Sequence, residues 1–309
     1  MRSIHIKRIL GFLKDNNFQF EYFGDENNVF LNGFCNISEI NDNNIAWVKN
    51  KKYLTDSVLV SLKNHSTVII VAPWRIEGVE NCLITENPKE IYFSILNNFF
   101  KEDFQHVISN RATVESDKIG ENVCIAAGCY VCKDAEIGDN VILHANVVID
   151  CPCKIGNGTE IFAGTVIGAD GFGYYYHNNI PERVPHFGGV IIGENVDIGA
   201  NSCVDRGTLS DTIIGNNVKI DNLCHIGHNV KIGNNTMIVA GSTICGSVEI
   251  GDNSYIAPEA TIKNQVSVGE KSFIGMNTIL SKSIEPMSMA IDMKQNAQVL
   301  KNKDYRKFI

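Results

Sequence analysis

No apolar run in these 309 residues approaches the ~18 positions that a membrane-crossing helix needs, so no transmembrane segment is expected. Basic stretches are equally scarce. No run of five Lys or Arg occurs and the net charge is −8, which argues against a surface for nucleic-acid phosphates. The first fifteen residues, Met1 to Asp15, carry charges throughout and lack the apolar core of a signal peptide, so a cytoplasmic chain is expected. Its ten cysteines then stay reduced. Cys129-x-x-Cys132 and Cys151-x-Cys153 have no second zinc half-site to pair with, and no metal is expected.

What is present is a beat of six. Starting at Ile119, an aliphatic residue recurs every sixth position through Ile125, Val131, Ile137, Leu143, Ile149, Ile155 and Ile161 to Ile167. The beat resumes at Ile192, Ile198 and Val204, then runs from Ile214 to Leu280, for 24 anchors in all. Four residues after an anchor the side chain is small or β-branched, as at Cys129, Cys153, Thr165, Cys224 and Ser242. In a strand, that residue and the next anchor point to the same side, while the residue between them points out. The remaining three turn a corner. Three such faces close a coil of 18 residues, the left-handed parallel β-helix of hexapeptide repeats, with anchors inside. A sandwich of short antiparallel strands would not hold so constant a period. The beat places Cys129, Cys153 and Cys224 inward, where packing is their expected role.

The sequence divides into a small α/β domain over 1–108, the β-helix over 109–284 and a helical tail over 285–309. In the first part, Ile4 to Leu13 has helical spacing, Ser57 to Leu62 and Val68 to Ala72 read as strands, and Pro88 to Phe100 reads as a helix with Pro at its start. Two excursions interrupt the beat, one between Ile167 and Ile192 and one from Asp205 to Asp211. A solenoid tolerates insertions only as surface loops, and such loops often carry binding residues. Gly168 to Gly173 superficially resembles a dinucleotide fingerprint, but it does not lead from a strand into a helix.

The period also sorts the histidines. His228, two after anchor Ile226, falls on a corner and points outward; His225, one before that anchor, lies on the outer side of its strand. Eighteen residues on from His228 comes Gly246, and then Asn264, so an open slot is expected beside the imidazole. The adjoining corner column reads Asn222, Ala240, Pro258, Met276. An exposed imidazole suits a general base taking a proton from an attacking amine. No nucleophile elbow or Ser/His/Asp order is present, so direct attack without a covalent enzyme intermediate is the simpler route. A zinc trimer of the carbonic-anhydrase kind would need a third histidine, and His144 is more than three coils away. A non-catalytic β-helix scaffold is the alternative from another class.

Three stretches carry a family likeness: Ile167 to Tyr174, Asp205-Arg206-Gly207 through Asp211 to Gly215, and Ile220-Asp221-Asn222 through His225-Ile226-Gly227-His228-Asn229-Val230. With them the chain resembles the UDP-3-O-(3-hydroxyacyl)glucosamine N-acyltransferases of lipid A biosynthesis. The resemblance implies a homotrimer with no permanently bound cofactor, an acyl-carrier-protein thioester as donor and a UDP-amino sugar as acceptor. It implies His228 as general base, Asn222 and His225 in the sugar pocket, and Gly171, Phe172, Gly173 and Tyr174 as further substrate contacts. The segment Trp47 to Tyr53 resembles the family's aromatic-x-x-Asn-x-x-Tyr element, which implies that Trp47, Asn50 and Tyr53 hold the uracil. Gly246, Asn264, Gln265 and Met276 would form the acyl and pantetheine channel, with Met276 limiting chain length. The chain departs from the family in three ways. A second histidine near Gln265 is missing, Ser288 to Lys294 lacks a Ser-Gly-x-Pro pattern, and the sequence stops at Ile309 where the family continues into a carrier-docking helical region. These departures keep open a short-chain, coenzyme A-dependent N-acyltransferase acting on another nucleotide-linked amino sugar of a surface polysaccharide.

Overall fold

The structure, a computed structural model, describes residues 3–101 and 106–292. The chain divides into two compact units, Met1–Asp103 and Phe104–Ile309.

The first unit is built on a five-stranded sheet in the order Glu21–Phe23, Asn81–Ile84, Ile69–Ala72, Asn44–Trp47, Gly33–Phe34. Only the outermost pair, Glu21–Phe23 with Asn81–Ile84, is antiparallel. The central strand Ile69–Ala72 is buried on both faces, which is why it reads as an unbroken apolar run. Ile69 and Val71 face a core shared with the helices Ile6–Asp15 and Pro88–Phe99. Ile70 and Ala72 face another shared with a helix at Asp56–Asn64. That helix corrects the strand expected at Ser57 to Leu62. The run is largely aliphatic with two valines, which suits a strand, but Thr55 caps Val58 N, and Val58 and Leu62 are the buried pair at helical spacing.

The second unit stacks coils into three parallel sheets of nine, seven and nine strands. Equivalent residues of successive coils lie 18 apart, as where Asn216 N donates to Asn234 Oδ1. Across the two excursions the spacing widens to 37 and to 22 residues, and the strands on either side stay paired. The anchors form one continuous core. Burial also pushes the thiols of Cys129, Cys153 and Cys224 above their ordinary value, as fits packing groups. Corner residues take left-handed backbone angles, usually at asparagine, such as Asn229 at φ 61°. The coil runs past the boundary expected at residue 284. Ile284 bridges to Val268, and Met289–Ala290 pairs with Phe273–Ile274. Residues 285–292 therefore begin another coil rather than a helix, and backbone pairing across the open end is the physical reason. The remainder of the expected helical tail lies outside the described residues.

Ile198, fully buried among these anchors, measures the core. Ile198→Ala is expected to cost about 2–5 kcal/mol, read from the urea unfolding midpoint.

Candidate active site

Both excursions return to one imidazole. His228 sits on the corner after the strand His225–Ile226. Its Nδ1 lies 3.0 Å from Asn229 Oδ1 and 3.4 Å from Thr208 Oγ1. Asn229 is itself pinned by the second excursion: its Nδ2 donates to Ser210 O at 2.8 Å and its Oδ1 accepts from Thr208 N at 3.1 Å. Oδ1 can only accept, so Nδ1 of neutral His228 carries the proton and Nε2 keeps its lone pair. Nε2 packs over Gly246, where a methyl group would stand only 2.6 Å from it, so the glycine makes room for the ring.

The first excursion crosses the imidazole. At Gly171 a Cβ would meet His228 Cδ2 at 2.7 Å and His186 Nε2 at 3.0 Å, so only glycine lets the backbone lie this close to both rings. Gly173 is in turn close to Val184. Beyond it the chain forms the hairpin Tyr174–His177 with Ile180–Arg183, and Phe172 leans on Tyr174 with ring centres 5.0 Å apart.

A cavity of about 430 Å³ opens at this point. His225, His228 and Phe172 line it together with Gly246, Asn264 and Gln265. The column counted by 18 is therefore one surface. Asn222 and Met276 do not reach the cavity. Asn222 accepts a hydrogen bond from Ala200 N at 2.7 Å, and Met276 lines a separate depression with Pro258 and Tyr255. Both lie on the preceding corner, one strand face away. In the first unit, Trp47 and Tyr53 line a cavity of about 720 Å³ with Phe34, Tyr92 and Phe93. Asn50 instead caps the turn Lys51–Tyr53 by accepting from Lys52 N at 3.0 Å.

Three residues of the site escape sequence reasoning. Asp205, at the end of the strand Cys203–Asp205, lines the cavity with its side chain 9% exposed and lies 3.7 Å from His225 Nε2. Burial raises its carboxyl above the ordinary value, while His225, His228 and His186 pull it the other way. His186 is buried and meets the His228 ring edge-on at 5.5 Å. Its Nδ1 donates to Val184 O at 2.9 Å, and its Nε2 finds no hydrogen-bond partner among the described residues. Asn229 fixes the His228 tautomer. Asp205 and Asn229 lie in stretches that carry the family likeness, but His186 belongs to an aperiodic loop that leaves no signal. Among the described residues, no group of three or more His, Cys, Asp or Glu is placed to hold a metal ion. No described helix is long and apolar enough to cross a membrane.

Comparison with known proteins adds a family context. The model of bacterial transferase hexapeptide (six repeats) matches residues 118–151, 134–169 and 211–246, and that of the hexapeptide repeat of succinyl-transferase matches 189–222. A UDP-3-O-acylglucosamine N-acyltransferase of Dechloromonas aromatica is 49% identical over 89 residues, which is 27% of this chain and 26% of that protein. Its counterpart in Leptothrix cholodnii is 58% identical over 67 residues, 22% of this chain and 20% of that protein. The matched stretch thus spans about a quarter of the length of these curated relatives. Among solved structures, a UDP-N-acetylglucosamine acyltransferase from Campylobacter jejuni superposes with a TM-score of 0.54 at 30% identity, over 59% of this chain and 70% of that one. One from Bacteroides fragilis gives 0.54 at 32% identity, over the same shares. The fold is the left-handed parallel β-helix that the repeat implies.

Proposed function

We propose that this chain, which belongs among the hexapeptide-repeat transferases and is similar to the UDP-3-O-acylglucosamine N-acyltransferases, moves an acyl group from a thioester onto the amine of a UDP-linked glucosamine. One observation carries the reading: His228, its Nε2 freed by the Nδ1 contact to Asn229, lines an open slot together with Gly246, Asn264 and Gln265. An amine entering that slot attacks the thioester carbonyl. The C–N bond forms, the C–S bond breaks, the amine's proton passes to His228 Nε2, and the thiolate leaves and is protonated as the free thiol. The donor is an acyl carrier protein thioester, its chain running along the Gly246, Asn264 and Gln265 surface. The working form is a homotrimer in which the corner bearing Asn222 and Met276 comes from a neighbouring copy.

The aromatic cavity of the first unit suits the uracil, since aromatic faces stack on a pyrimidine. Tyr53 lines it and is half exposed, so its loss leaves the fold intact. Tyr53→Ala is expected to raise KM for the UDP-sugar about tenfold with kcat little changed, measured by steady-state kinetics.

Mass-spectrometric detection of product tests the whole reading, with UDP- and dTDP-amino sugars set against acetyl-coenzyme A and a 3-hydroxyacyl carrier protein. The expected product is the 3-hydroxyacyl amide of UDP-glucosamine carrying an acyl group at O3. Acetylation of another sugar would transfer the function to the coenzyme A-dependent branch, and no product with any pair would leave a binding scaffold.

A further inference from the structure

We propose that Asp205 receives the amino group of the acceptor sugar and so selects an amine over a hydroxyl nucleophile. The inference rests on the reading above and names the group within that site that recognises the nucleophile.

The Asp205 carboxylate is nearly enclosed, and the part left open faces the cavity shared with His228. Among the described residues no N–H or O–H donates a hydrogen bond to it, and its one ionic neighbour, His225 Nε2, stands at 3.7 Å. The nearby carboxylates are differently placed. Asp211 accepts from Gly189 N at 2.7 Å and Asp221 from Asn222 N at 2.7 Å. A buried acceptor without donors is costly unless a ligand supplies them. The backbone position is equally particular. The sheet register shifts between Ile167 and Ala169, which pairs Ala169 with Asp205 as the last contact before both excursions leave the coil. Burial also raises the carboxyl's pKa, as expected for an acid kept in place without a permanent partner.

An attacking amine has more than one N–H to place. One proton goes to His228 Nε2, and another needs an acceptor that holds the nitrogen lone pair toward the thioester. Asp205 supplies that acceptor. A hydroxyl has a single proton, already claimed by His228, and gains nothing from a second acceptor; its lone pairs are instead repelled by the carboxylate.

The test measures affinity by calorimetry for two probes: UDP-3-O-(3-hydroxyacyl)glucosamine and the same nucleotide sugar with a hydroxyl in place of the amine. The wild-type protein is expected to bind the amino probe about tenfold or more tightly, as a charge-assisted hydrogen bond provides. Asp205→Asn should erase that preference and lower kcat/KM for the amine by a similar factor. The variant's unfolding temperature is expected not to fall at neutral pH. A folded-state pKa raised by burial adds stability only below the unfolded value and loses it as pH rises through the folded value, so the charge is a cost near pH 7 and the amide removes it. Equal affinity of the wild type for the two probes, or an Asp205→Asn variant that keeps the amino preference, overturns the proposal while amide formation by the wild type leaves the broader reading standing. A wild type that acylates no UDP-amino sugar removes both.

Discussion

His228→Ala is expected to lower kcat/KM for acyl transfer about 10²–10⁴-fold, the range in which a lost general base falls. The direction follows from the wiring of the ring. Nδ1 is committed to Asn229, and Nε2 is the nitrogen that keeps its lone pair. Without it, water must take the proton from an amine that is still bound and still positioned. KM for the acceptor should therefore move little compared with kcat. Stability should stay within about 0.5–1 kcal/mol of the wild type, because the ring lies outside the anchor core and the partners lost are those of Thr208, Asn229 and the His186 ring. Single-turnover kinetics beside a thermal melt decide the matter. A folded variant that retains its rate within a few-fold would remove His228 from the chemistry.

Filling the slot is the second large effect. Gly246→Val is expected to reduce kcat/KM about 100-fold with the melting temperature almost unchanged. A Cβ at residue 246 would lie 2.6 Å from His228 Nε2 and 2.8 Å from its Cε1, both atoms of a side chain that can swing away. The ring would leave its contact with Asn229, and the added methyl groups would occupy the amine's path. Displacing a catalytic group by about 1 Å costs on the order of 100-fold. Gly246→Ala should give a smaller loss in the same direction. Gly227 provides the control, since its Cβ would meet the backbone itself, Gly246 N at 2.8 Å and Ile244 O at 3.1 Å. Substitution there is expected to lower the melting temperature first, by forcing two coils apart. A Gly246→Val variant that melts early while keeping its turnover number would show that this glycine serves packing rather than access.

The legibility of the protein differed sharply between its units. In the coils each six-residue face is stabilised by its own anchor and by a strand 18 residues away, so local pattern and global fold carry the same period. His228, Gly246 and Asn264 could accordingly be set in one column by counting, and the cavity they line shows that column as one surface. In the first unit the pattern is weaker. Ser57 to Leu62 is a short aliphatic run that suits a strand yet forms a helix, because the Thr55 cap and the burial of Val58 with Leu62 outweigh the strand preference of its valines. The short strands Glu21–Phe23 and Gly33–Phe34 hold too few residues to display any period.

By itself the sequence determined the β-helix, its inward cysteines, the outward turn of His228 and the small residue stacked over it, because a strict repeat converts position directly into direction. Only the tertiary structure decided what surrounds that imidazole. Asn229 fixing its tautomer, Gly171 passing against its ring, His186 at its edge and Asp205 buried beside His225 all depend on two aperiodic loops folding back onto the coil, and spacing cannot encode contacts between chain segments that share no period.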